Sequence, residues 1–153
     1  DVQETLFNGL LNGEFWQSSV ETLTHELSLI ARHAFLSQTS LPEYLRSLES
    51  YLKSWCAQVG IDTAADILLI EPNDILPQPL EAFQRDEVLR RLPDEVSIGS
   101  KPAKLTYNLA ARVAILHMDK RWVKSAINPR FLPAVEGFSV VVRDGSRQRM
   151  LRK

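Results

Sequence analysis

AKLTYNLAARVAILHM, residues 103 to 118, is where the periodicity of this chain changes. Leu105, Tyr107 and Leu109 alternate with Lys104, Thr106 and Asn108, and then Val113, Ile115 and His117 alternate with Ala114, Leu116 and Met118. A repeat of two sends successive side chains to opposite faces of an extended backbone, so both segments are predicted as half-buried strands. Further on, FSVVVR and RQRML flank Asp144-Gly145, a pair that tolerates the positive φ of a tight hairpin turn. Gly99 and Gly137 mark additional turns.

Upstream of Pro93 the repeat is three to four. Val20, Leu23, Leu27, Ile30 and Ala34 form one apolar stripe, and Ser18 with Glu21 has the spacing of a capping box at its start. Leu41, Leu45, Leu48, Leu52, Trp55 and Val59 form a second stripe, with Ser40 and Glu43 as its capping box and Pro42 in the first turn. Gly60 supplies a left-handed stop. Two stripes of matched length joined by a short linker predict an antiparallel helical hairpin. TLFNGLLNG predicts a short helix closing at Gly13, Asp62 or Thr63 caps a short turn, and LEAFQRDEVLRRL predicts one more helix ending before Pro93. Helices first and strands afterwards predict an α+β fold: a helical hairpin or small bundle, then an antiparallel sheet or small barrel. Between them, Pro72 to Pro79 reads as turn and stiff linker, dividing an acidic helical region, 1–78, from a basic β-rich region, 79–153, unless the two form one compact domain.

At 153 residues, 44% hydrophobic and 24% charged, the chain has enough apolar material for an ordinary core and is not of disordered composition. No apolar run approaches the roughly 20 residues of a membrane helix, and no basic segment leads into an apolar stretch at the start. The expectation is therefore a protein without membrane contact. A lone cysteine, Cys56, excludes an internal disulfide and suits a reducing, cytoplasmic setting. The chain opens on Asp1 rather than Met, as a piece of a longer protein would.

The net charge of −1 conceals a segregation. Residues 1–82 hold 3 Lys+Arg against 12 Asp+Glu, a balance of −9, and residues 83–153 hold 15 against 7, a balance of +8. Two readings stay open: the two halves neutralise each other, or the basic half meets an external polyanion.

Catalytic patterns are absent from the sequence. There is no Walker A loop, GxGxxG, HExxH, GxSxG or cysteine pair. His25 and His33, eight residues apart, fall roughly 80° apart around a helix and more than two turns along it, a poor arrangement for one metal. His117 reads as a packed or edge residue of its strand and Cys56 as a small core residue. No metal, cofactor or catalytic residue is expected in this chain.

The basic half holds the candidate site. Lys120, Arg121 and Lys124 surround Trp122, and Arg130 precedes Phe131. Cations that track phosphates beside a ring that stacks on a base are what a single-stranded nucleic-acid groove requires. The alternative is that the rings are core and only the cations are wet. Arg147 and Arg149 share a strand face, and Arg143 across the turn joins them in a cationic cluster that repels itself without an anion. Such charges also serve to block edge-to-edge association of sheets. Lys101 and Lys104 on the first long strand complete the set.

LPDEVSIGSKPAKLTYNL, residues 92 to 109, and the earlier ADILLIEPNDIL resemble the C-terminal accessory region of bacterial DEAH-type ATP-dependent helicases of the HrpA and HrpB kind. The features that carry the likeness are the Leu-Pro opening, an acidic residue, a short strand, a Gly turn and a strand closing on Tyr107, preceded by the acidic-leucine segment. The likeness covers residues 64 to 109. It implies a parent protein whose ATP hydrolysis resides in two RecA-like domains, of which this chain contains no phosphate-binding loop. The implied role is a non-catalytic appendage, without a cofactor of its own, that holds RNA or single-stranded DNA beside the motor. Its implied partners are nucleic acid and the remainder of the parent protein. The competing reading is a protein–protein interaction module docking through the acidic helices.

Overall fold

The computed structural model describes residues 1–98, 101–118, 135–144 and 147–152, and beyond residue 143 the side chains of 144 and 147–152 are outside the description. The fold is α+β, with helices preceding one sheet. The chain divides into two compact units, Asp1–Arg85 and Asp86–Lys153, a division that falls within helix α5 (Ala82–Arg91).

The first unit is a small helical bundle. Helix α1 (Val2–Leu11) starts on Asp1, whose carboxylate accepts from the Gln3 amide at 3.0 Å, and ends at Asn12, ahead of Gly13 at φ 77°. Helix α2 (Gln17–Ser37) and helix α3 (Leu48–Val59) follow. A short helix, α4 (Ala64–Ile67), starts at Thr63, where the Asp66 carboxylate accepts from the Asp62 and Thr63 amides at 3.0 and 2.9 Å. Leu6 and Leu10 from α1, Leu23 from α2, Leu52 from α3 and Ile75 are fully buried in one cluster. Each such side chain stabilises the fold by roughly 1.5–3 kcal/mol through removal from water. Cys56 joins this cluster, as expected of a small core residue, and burial pushes its thiol pKa up.

Two helix starts differ from the capping boxes read in the sequence. Helix α2 opens at Gln17, with Trp16 at the N-cap in a left-handed conformation, φ 48°, and no side chain caps it. Trp16 packs edge-on against Trp55, ring centroids 6.3 Å apart, and burial of a large ring offsets the backbone cost there. Ser40 and Glu43 do not start α3 either. Pro42 to Leu45 form a 3-10 turn, and Ser47 caps the helix, accepting from the Ser50 amide at 3.1 Å. The residue before a proline is pushed out of the α region, so the segment around Leu41-Pro42 cannot propagate a helix. With the helix shortened to 12 residues against 21 for α2, the matched hairpin gives way to a bundle in which α3 packs chiefly on α1. Gly60 ends α3 at φ 70°, in the left-handed stop expected of it.

Helix α2 also buries more than one stripe. Besides Val20, Leu23 and Leu27, it buries Leu29 and Arg32, the latter only 2% exposed with its Nε donating to the Ser28 carbonyl at 3.3 Å. Glu26 accepts from Arg85 at 3.0 Å, and its second carboxylate oxygen is buried without a partner among the described residues.

The second unit carries the strands β1 (Glu95–Ile98), β2 (Lys101–Asn108), β3 (Val113–His117), β4 (Ser139–Asp144) and β5 (Arg147–Arg152). They form one sheet in the order β1-β2-β3-β4-β5. Strands β4 and β5, which flank Asp144-Gly145, are antiparallel as expected, and β1–β2 and β2–β3 are antiparallel too. Strands β3 and β4 run parallel, however, so the sheet is mixed rather than antiparallel. Its first and last strands are edges, so it is open rather than a barrel. Residues 118 to 138 separate β3 from β4, ample for a parallel return, which needs a dozen residues or more. Alternation of side chains is the same in both directions, so the pattern could not distinguish them.

One face of this sheet is dry. Ala103, Leu105, Ala114, Leu116, Val140 and Val142 are all at most 3% exposed. Tyr107 lies in the same set of rows, meets Phe138 edge-on at 5.7 Å, and donates its hydroxyl to the Pro93 carbonyl at 2.6 Å.

Candidate nucleic-acid interface

The opposite face presents charge. Register makes Glu95, Lys104, His117, Arg143 and Gln148 successive partners across β1 to β5, one row that crosses the whole sheet. Directly opposed residues of neighbouring strands project to the same side, so Lys104, His117 and Arg143 share a face. Lys104 and Arg143 are exposed and His117 is half-buried. Two strand spacings separate the lysine from the arginine, about 10 Å between their backbones. Among the described residues neither Lys104 nor Arg143 takes part in an ion pair.

His117 sits between the two cations and shares a 2.7 Å hydrogen bond with the Thr106 hydroxyl. Its pKa is lowered, first by burial and then by the positive charges of Arg143 and Lys104. The ring is therefore held neutral around pH 7, chiefly by burial and in part by the positive charges beside it. A phosphate placed on this row would reverse the electrostatic part of that shift. Two permanent cations thus flank an imidazole that can take up a proton.

The sequence-derived candidates fall into three groups. Lys104 and Arg143 are brought into one row, and Lys101 is exposed at the start of β2, paired in register with Ile98. Arg147 and Arg149 lie on β5 opposite Asp144 and Val142, whereas Arg143 is opposite Gln148. The three arginines therefore do not share a row. Lys120, Arg121, Trp122, Lys124 and Arg130 lie outside the described residues, as does Phe131. Of the described aromatics in this unit, Tyr107 and Phe138 pack on each other away from the cationic row.

His117 and Thr106 belong to the site but were not among the candidates. The signal was present as alternation, since Lys104, Thr106, Ile115 and His117 all fall on the more polar side of their strands. What was missing is the register that sets Lys104 opposite His117. Among the described residues there is no group of three or more His, Cys, Asp or Glu able to hold a metal ion, and no helix is long and apolar enough to cross a membrane. The chain matches no protein-family model, no curated protein and no solved structure.

Proposed function

We propose that this chain is a non-catalytic module that binds single-stranded nucleic acid through the cationic row of its sheet, as an accessory domain of an ATP-dependent helicase. The observation that carries the binding role is the alignment of Lys104, His117 and Arg143 in one row of one face, with both permanent cations exposed and outside any ion pair among the described residues. Lys104 and Arg143 stand two strand spacings apart with His117 between them, so an anion laid across the row can engage both cations. A polyanion does so over several contacts at once, releasing counterions for each phosphate neutralised. The helicase context rests on the likeness of residues 64 to 109 alone. Titration of a fluorescent oligouridine and its deoxy counterpart with the full chain tests the reading. Binding that weakens steeply with added salt is expected, and no binding at low salt overturns it. A preference for the ribose strand would place a 2′-hydroxyl contact in the site.

A further inference from the structure

A second surface lies wholly within the helical unit and owes nothing to the sheet. An open groove of about 520 Å³ is lined by one face of α3, Tyr51, Ser54, Trp55 and Gln58, and by Asp74 and the segment Leu76 to Gln78 that follows the Pro72–Ile75 turn, with Tyr44 and Leu45 among its other walls. The α3 residues recur at three- and four-residue steps, so a single helix face supplies them.

The lining has a definite chemistry. Tyr51 is buried, and its hydroxyl is spent on the Ile75 carbonyl at 2.7 Å. Tyr44 is different: it is 47% exposed, a large ring at the rim of the groove. Trp55 is half-buried, braced edge-on by Trp16. Ser54, Gln58 and Gln78 add a hydroxyl and two amides, groups that both donate and accept. Among the described residues the sole charged lining residue is Asp74, whose Oδ2 accepts from the Glu71 amide at 3.2 Å. No lysine or arginine among the described residues lines the groove, and the unit as a whole carries 4 Lys+Arg against 12 Asp+Glu, a balance of −8.

Aromatic walls interspersed with amide groups suit an extended chain. Such a chain keeps its backbone N–H and C=O groups unpaired and presents flat proline rings and aliphatic stems. The carboxylate and the acidic surroundings select a cation, and an exposed tyrosine ring adds cation–π attraction for it. We propose that this groove binds an extended, proline-containing peptide segment of a partner protein that carries arginine, the guanidinium engaging Asp74 and the ring of Tyr44.

The test uses the full chain and the synthetic peptide acetyl-Pro-Pro-Arg-Pro-Pro-Arg-amide, with binding read by calorimetry and by the shift of the Trp55 indole N–H resonance. The peptide is expected to bind and to move that resonance, and the counterpart with both arginines replaced by glutamate to bind at least about tenfold more weakly. Asp74→Asn keeps an oxygen able to accept from the Glu71 amide, and Tyr44→Ala alters an exposed ring, so both variants should retain the wild-type circular dichroism spectrum. Each is expected to weaken binding by about threefold to tenfold. Equal binding of the two peptides, undiminished binding by either folded variant, or no binding at all overturns the proposal. So does arginine amide binding as tightly as the hexapeptide, which would reassign the groove to a small cation. None of these outcomes touches the oligonucleotide titration, which reads a different surface.

Discussion

Replacing Lys104 and Arg143 together by glutamine removes the two permanent cations of the sheet row while leaving its dry face untouched. Both residues are exposed, so the double variant should fold with a stability within roughly 0.5 kcal/mol per substitution of the parent. The consequence for binding is larger and has a characteristic form. Each phosphate contact to a single strand contributes about 0.7 to the slope of log K against log salt, so losing two lowers the slope by about 1.4. Between about 50 and about 200 mM salt, a fourfold change, these two contacts account for about a sevenfold loss of wild-type affinity, and the variant should forfeit that part of its salt sensitivity. Fluorescence anisotropy of a labelled oligouridine at four salt concentrations measures it. An unchanged slope in a folded double variant refutes the assignment of phosphate contacts to this row. A uniform loss of affinity with the slope intact refutes it equally, because it would report a distortion rather than lost counterion release.

Four further outcomes follow from the same structure. His117 has a folded pKa below its ordinary value of 6.5, so the unfolded chain takes up a proton that the folded chain refuses. Its contribution to stability is therefore complete above about pH 6.5 and declines as pH falls from there toward the folded value, a dependence that urea titrations of His117→Gln should show reduced. Nucleic-acid binding runs the other way: phosphate favours the protonated ring, so affinity should rise as pH falls below about 6.5 and rise less in the same variant. In the bundle core, Leu52→Ala should cost about 2–5 kcal/mol by chemical denaturation, since a fully buried leucine leaves a cavity. Arg85→Ala strands a Glu26 carboxylate that is only 12% exposed and should cost about 1–3 kcal/mol, whereas Arg91→Ala, which breaks an exposed pair with Glu87, should cost less than about 0.5 kcal/mol.

Much of the fold was legible where the determining physics is local. The alternation in β2 and β3, the Asp144-Gly145 hairpin, the left-handed stop at Gly60 and the helix ending before Pro93 each depend on a few consecutive residues. The starts of α2 and α3 were not legible. At α2 the packing of Trp16 on Trp55, 39 positions away, outweighed the capping box at Ser18. At α3 the proline that looked like a first-turn residue kept the chain extended, and the helix waited for Ser47. Arg32 shows the same limit from another side. An arginine carries no mark of burial in the α2 sequence, yet Arg32 is only 2% exposed.

The amino-acid order determined by itself that helices precede strands, that positive charge gathers in the β-rich half, and which residues alternate across each strand, because these are properties of neighbours along the chain. Tertiary structure alone decided that β4 returns parallel to β3 and that Lys104, His117 and Arg143 fall in one row while Arg147 and Arg149 do not. A strand's pattern encodes its two faces but neither its direction nor its alignment with a partner. Those are settled only when the hydrogen-bond ladders close between segments far apart in the chain, and a shift of one residue would carry every charge to the other side.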